Sequence, residues 1–261
     1  MATDTTSTFW DHLDELRTVL IRIVAAVVVA AGVAFGFKEQ LFSIIFAAKS
    51  DSFVTYRFFN WLSHYFKLGE GVESFSVELI NTQLTQQFTT HITVAMWSGV
   101  LLIFPYILFE LFRFISPALY ATERRYSARV VVAGYVMFLL GVAMSYYLVF
   151  PLTFRFLAMY QVSSSVVNMI ALDSYIGTLI TLCLMMGVMF EMPILCWLFA
   201  KLGLLTAEFM RQYRRYAVVI LLVIAAVITP TGDIVTMLLV AMPIYLLYEL
   251  SIGIVALTRG S

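Results

Sequence analysis

The sequence predicts an all-α integral membrane protein with six transmembrane helices. Three observations carry that prediction. Of 261 residues, 62% are hydrophobic and 12% charged, against roughly half and a quarter in soluble domains. Six apolar runs alternate with polar or turn-forming stretches, and most reach the roughly 20 residues that a bilayer requires of a helix. Lysine and arginine concentrate in alternate connections, as oriented membrane proteins require. The formal net charge is zero, so no bulk attraction to nucleic acid operates.

The first element is STFWDHLDELRTVLIR. Phe9, Trp10, Leu13, Leu16 and Leu20 share one helical face, with Asp11, Asp14 and Glu15 elsewhere. That pattern predicts an amphipathic interfacial helix leading into span one, 18–37. Acids in a first turn favour the helix dipole, and Asp14 can pair with Arg17. Those effects account for Asp11 and Asp14 better than for Glu15, which stays a candidate for recognition. The apolar run follows acidic rather than basic residues, so it reads as a span and not as a cleavable signal.

The outer segment, 38–90, contains SFVTYRFFNWLSHYF and ESFSVELINTQLTQQF. The second stretch reads as helix continuing into span two. Such aromatic density predicts a folded cap at the outer membrane–water boundary; for the first half, aromatic-belt anchoring alone is the alternative. Span two covers 91–112, with Pro105 expected to kink its end. In FPYILFELFRFISPALYATERRYSAR, Pro117 ends a helix or opens the next turn. Glu123 adjoins Arg124 and Arg125, and a surface ion pair would account for it if nothing else did. Span three covers 128–150.

Span four, 174–200, holds MMGVMFEMPILCW. A carboxylate at mid-membrane depth costs on the order of 3 kcal/mol on insertion scales, so Glu191 is not expected to face lipid. Pro193 cannot donate a backbone hydrogen bond, which frees the Met189 carbonyl nearby. Two readings stand for this kinked polar site: a Glu paired to a neighbouring Ser, Thr, Tyr or Arg, or a carboxylate lining a wet concavity. Span five, 217–228, is about a dozen residues and would cover only about 18 Å. It extends back towards Arg214, or lies in thinned bilayer, or forms with span six a hairpin that does not cross. Thr229, Pro230, Thr231, Gly232 and Asp233 predict a tight outer turn. Span six covers 234–257, with Pro243 bending it and Glu249 near the inner surface.

With the N-terminus placed in the cytoplasm, inner connections hold eleven of the 16 Lys and Arg residues, among them Arg17, Arg22, Arg113 and Arg214. The remaining five lie outside, mostly in one long loop that counts little. Both termini are therefore expected in the cytoplasm. Cys183 and Cys196 would sit about 20 Å apart along a helix, too far to bridge. The spacings carry no metal site, no cofactor motif and no hydrolase motif, so no catalytic residue is expected. No repeat of fixed period appears, which argues against an inverted-repeat transporter.

The order of motifs is more specific than any one of them. HLDELR is followed by PYILFELFRFISPALYATERR, then FPLTFRF, GVMFEMP, TPTGD and AMPIYLLYE. This series, from about His12 to Glu249, resembles the TatC family, the six-span receptor subunits of twin-arginine protein translocases. The resemblance implies one TatC-like membrane domain over 1–261, in the bacterial inner membrane. Its helices would form a concave cup, with short fifth and sixth spans and a periplasmic cap. It implies recognition of twin-arginine signal peptides of folded precursors on the cytoplasmic face, and export powered by the proton gradient. Implied partners are single-span TatA/TatB-type subunits and further copies of the receptor.

Carried onto this sequence, the signal-peptide residues are Glu15 and Glu123, with His12 and Arg17 from the first motif. The intramembrane polar site is Glu191 with Pro193. The partner-subunit contact falls near Thr229 and Pro230. Some family members carry Gln in span six where Thr236 and Met237 stand here, so the polar contact passes to Thr229, Thr231 or Thr236. The stretch FAAKS stands where the family usually has a proline after span one. The chemistry suits the assignment: guanidinium forks match carboxylates bidentately, and lysine lacks the fork. The rival readings are a small proton-coupled secondary transporter using Glu191, and a structural scaffold subunit.

Overall fold

The computed structural model describes residues 9–50, 52–66, 77–115, 127–163, 168–229 and 231–259. The described residues are nearly all helical. In chain order they form α1 (Phe9–Phe35), α2 (Lys38–Ala47), α3 (Val54–Phe66), β1 (Leu79–Ile80) and α4 (Gln86–Ile115). Next come α5 (Ser127–Met144), a π-helical turn (Ser145–Val149), α6 (Phe150–Met159) and β2 (Ile170–Ala171). The chain continues with α7 (Leu172–Phe190), α8 (Met192–Lys201), α9 (Ala207–Gln212), α10 (Arg214–Ile228) and α11 (Ile234–Arg259).

Five stretches are long and apolar enough to cross a membrane: Leu13–Phe35, Gln86–Phe114, Arg129–Met159, Leu172–Lys201 and Ile234–Thr258. The fold is thus all-α and multi-spanning, as composition and hydropathy predict. The fifth apolar run forms α10, which reaches back to Arg214 and has 15 residues, about 22 Å of helix. Three expectations are corrected. The last helix is not short: α11 has 26 residues, because Pro243 removes one backbone donor from an otherwise unbroken apolar run. The helix of span three does not close at Phe150 but continues through the π turn and α6 to Met159. Pro151 occupies the first turn of α6, where a missing N–H is harmless, and the wider π turn carries the helix into it. The described part of the run before span two, 77–85, is not helical. Leu79 and Ile80 pair in parallel with Ile170 and Ala171, and the Gln86 side chain accepts from the Thr82 and Gln83 amides at 2.9 and 3.2 Å.

The contacts divide the chain into two compact units, Met1–Lys38 with Ala95–Tyr135 and Glu39–Val94 with Val136–Ser261. In the first unit, α1 meets α4 at Gly99. A Cβ there would lie 2.7 Å from the Ala31 nitrogen and 3.0 Å from the Val27 carbonyl, so the glycine is what permits this backbone approach. In the second unit, α5 and the π turn cross α7 through two glycines. A Cβ on Gly141 would lie 2.6 Å from the Met186 carbonyl, and one on Gly187 only 2.5 Å from the Phe138 ring. Around this crossing Phe138, Phe150, Tyr175, Leu182, Met186 and Ile244 are almost fully buried.

The segment between the first two spans is pinned to that second-unit core by hydroxyls reaching backbone carbonyls. Tyr146 and Tyr175 donate to Ile44 and Ile45 at 2.6 and 2.8 Å. Tyr56 donates to Pro151 at 2.9 Å, and Thr55 donates to the Tyr147 carbonyl. The π turn thus presents the Tyr146 hydroxyl to α2 and the Tyr147 carbonyl to α3.

Candidate functional site

Helical spacing assembles an acidic cavity in the first unit. On α1, Glu15, Thr18 and Arg22 stand at i, i+3 and i+7, one stripe of the helix. On α4, Glu110 and Arg113 stand at i and i+3 on the face of the last two turns. The close crossing at Gly99 brings the stripes together. Asp14, Glu15, Thr18 and Arg22 from α1, with Glu110 and Arg113 from α4, line a cavity of about 310 Å³.

Glu110 is the buried member, with 4% of its side chain exposed against 48% for Arg22. The Tyr106 hydroxyl, one turn earlier, donates to Glu110 Oε1 at 2.9 Å. Arg22 Nη1 lies 3.9 Å from Oε2, beyond hydrogen-bond length, and Oε2 has no hydrogen-bond partner among the described residues. The carboxylate is therefore desolvated and only partly satisfied, while its counter-charge remains wet. Glu15, Asp14 and Arg113 are exposed around it. Such a cavity can accept a planar cation at its base.

Of the sequence-predicted signal-peptide residues, Glu15 lines this cavity and Arg17 is exposed on α1. His12 lies in the backbone of α1, with its side chain outside the described residues. Glu123 also lies outside them. The sequence reading missed Glu110. Its signal was available: a carboxylate inside the apolar run ILFELF, the feature that singled out Glu191.

In the second unit, α7 ends and α8 begins at Glu191, and Pro193 sits in the first turn of α8. The Glu191 carbonyl accepts from Ile194 and Leu195, both at 3.0 Å, so the backbone turns without losing that acceptor. The side chain is 7% exposed, and Oε1 has no hydrogen-bond partner among the described residues.

At the turn before α11, Gly232 has φ +62°, the left-handed conformation the sequence predicts there. Asp233 caps α11. Its Oδ1 accepts the Thr236 amide at 2.7 Å and its Oδ2 the Thr231 hydroxyl at 2.6 Å. Burial works to raise the Asp233 carboxyl, but these hydrogen bonds outweigh it and hold the group below its usual range. Thr229 and Thr236 are buried, at 3% and 0% exposure. Thr231 is exposed, and Pro230 lies outside the described residues. The sequence also left Glu249 without a partner; it accepts from Arg214 at 2.8 Å and from Tyr245 at 2.9 Å. Cys183 and Cys196 are both free.

The comparisons with known proteins agree with one another. Residues 11–243 match the family model described as Sec-independent protein translocase protein (TatC). The protein of that name from Deinococcus radiodurans is 35% identical over 243 residues, covering 93% of this chain and 83% of its own. The one from a Blattabacterium strain is 34% identical over 250 residues, covering 94% of both chains. A crystal structure of the twin-arginine translocase receptor TatC superposes with a TM-score of 0.75 at 31% identity, over 95% of this chain and 99% of that one. A second, of the receptor in DDM, gives 0.75 at 32% identity, over 93% and 98%. With most of its length matched in sequence and in fold, the chain belongs to the TatC family of Sec-independent protein translocase proteins.

Proposed function

We propose that this chain is the receptor and core subunit of a twin-arginine translocase, a multi-pass protein of the bacterial inner membrane. It recognises twin-arginine signal peptides and takes part in exporting folded proteins; it is not an enzyme. Family membership over residues 11–243 carries this reading.

The finer assignments follow from chemistry. Glu15 and Glu123 accept the two guanidinium groups, with His12 and Arg17 beside them at the cytoplasmic face. In support, Glu15 opens onto a cavity with three carboxylates and two arginines in its lining. Recognition at such a half-wet site avoids the full desolvation of a buried ion pair. The distribution of basic residues supports cytoplasmic termini at both ends. The short α10 forms the remaining span beside locally thinned lipid, completing a six-span concave cup with a periplasmic cap, one TatC-like domain over 1–261. Glu191 and Pro193 keep a hydrated notch in its wall.

Single-span TatA/TatB-type subunits pack along α10 and α11 near Thr229, Pro230, Thr231 and Thr236. Ile234, Val235 and Leu238, which are 69%, 42% and 53% exposed, supply the apolar part of that contact. Further copies of the chain join the receptor complex, and the proton gradient supplies the energy.

The test is site-specific photo-cross-linking from positions 15 and 123 to a twin-arginine precursor, with Glu15→Gln and Glu123→Gln alongside. Each substitution is expected to weaken capture of an Arg-Arg peptide more than capture of its Lys-Lys counterpart. Equal loss for both peptides would mean disturbed structure only. Labelling that placed residue 15 on the outer surface would reverse the orientation and end the assignment.

A further inference from the structure

We propose that Glu110 is a third arginine acceptor of the signal-peptide site, and that Arg22 of the same chain occupies it in the unliganded protein as a displaceable guanidinium. The inference rests on the receptor reading above.

Glu110 is 3% exposed, and one of its oxygens is already held by Tyr106. The other, Oε2, is buried and has no hydrogen-bond partner among the described residues; the group beside it is Arg22, which lines the cavity with Glu110. A buried carboxylate oxygen without a donor is a site under strain for a ligand, because any group that hydrogen-bonds it recovers the desolvation loss. Arg22 does not do so. At 3.9 Å it supplies charge without a hydrogen bond, and its side chain remains 48% exposed. It can leave for water without abandoning a bond.

An incoming arginine brings the same chemistry with freedom to approach. Its planar fork can donate to Oε2 at hydrogen-bond distance, which charge-assisted pairs favour. The lining supports entry. Asp14, Glu15 and Glu110 carry three negative charges, and Arg22 and Arg113 two positive ones. With Arg22 swung away, the balance moves from net minus one to net minus two. Lysine, a point charge with strong hydration, displaces Arg22 less well. Arg22 thus sets a threshold: ligands unable to replace a guanidinium with a better-placed one are refused. α1 and α4 pack backbone to backbone at Gly99, and the exchange is one between side chains beside that crossing.

The experiment uses the full chain in lipid nanodiscs and a fluorescent peptide carrying Arg-Arg or Lys-Lys. Glu110→Gln is expected to weaken Arg-Arg binding about tenfold, the scale of one charge-assisted hydrogen bond, and Lys-Lys binding less. Arg22→Gln is expected to tighten Arg-Arg binding severalfold, and the double variant to bind as weakly as Glu110→Gln alone. If Arg22→Gln binds no more tightly than wild type, the displacement proposal is overturned. If Glu110→Gln binds like wild type while Glu15→Gln has lost the peptide, Glu110 is no acceptor and the receptor reading stands. A wild-type chain with no preference for Arg-Arg would overturn both. Should Glu110→Gln fail to fold, Arg22→Gln, at a half-exposed side chain, decides the matter alone.

Discussion

Glu110 and Glu191 are both carboxylates sunk in apolar helices, 3% and 7% exposed, yet they are held in opposite ways. Glu110 lies inside an unbroken helix. One turn before it stands Tyr106, which bonds it, and one turn after it stands Arg113 at the same cavity. Glu191 lies at a helix break. One turn before it stands Gly187, with no side chain, and one turn after it stand Ile194 and Leu195. The neighbours at helical spacing decide whether a buried carboxylate is partnered from its own helix. The first arrangement is built to hold a charge next to a cation. The second leaves a polar atom for water or a partner to satisfy, and such atoms destabilise by about 1–3 kcal/mol each.

The largest expected effect separates the two. Glu191→Leu removes an orphaned polar group from an apolar wall. Thermal unfolding of the purified protein should show stability unchanged or raised, by up to about 3 kcal/mol. Export of a folded reporter should nevertheless fall tenfold or more, if the notch is needed for transport. Export at the wild-type rate would reduce Glu191 to a structural oddity. The comparison would then be one of packing alone.

Next in size is the reason Glu191 has no partner at i−4. A Cβ on Gly187 would sit 2.5 Å from the Phe138 ring and 3.0 Å from Val142, so no hydrogen-bonding side chain fits there. Gly187→Ala should lower stability by about 1–3 kcal/mol, the usual range for overpacking, despite its better helix propensity. An unchanged melting temperature would show that the α5–α7 crossing can relax. On the other side of the comparison, Tyr106→Phe removes the hydrogen bond that Tyr106 donates to Glu110. It should cost about 1 kcal/mol of stability and leave Arg22 and the cavity lining in place.

The two carboxylates also mark what is legible in the sequence. Glu191 stands out because Pro193 follows it, and the break between α7 and α8 falls where that pair predicts. The short α10 is readable too, since Tyr213 and the charged Arg214 and Arg215 bound its apolar run. The Glu110–Arg22 pair is not readable from its two segments separately. They meet only because Gly99 lets α1 and α4 approach, and helix pairing is a tertiary matter that local patterns do not encode. Nor does hydropathy distinguish a proline that ends a helix from one that a π turn absorbs, so the run of the third helix on to Met159 is not legible. The two-residue strands are shorter than any period a sequence pattern can display.

A carboxylate outside the spans gives the smallest effect and completes the comparison. Asp233 has what Glu191 lacks, a donor for each oxygen: the Thr236 amide and the Thr231 hydroxyl. Burial alone would raise this carboxyl, and the hydrogen bonds overcome it, so the folded value lies below the unfolded one. The sign follows. Such a group contributes stability that is complete above its unfolded value, near 4, and lost as pH falls through the lowered folded value. Because water reaches this turn, the contribution stays under about 1 kcal/mol. Asp233→Asn keeps an acceptor at the helix start but cannot titrate. Melting temperatures of wild type and Asp233→Asn should therefore differ most at neutral pH, with wild type higher, and converge as the solution is acidified below pH 4. A gap that stayed constant through that range would mean the charge contributes nothing. The cap would then act through its geometry alone, as a neutral Asn does.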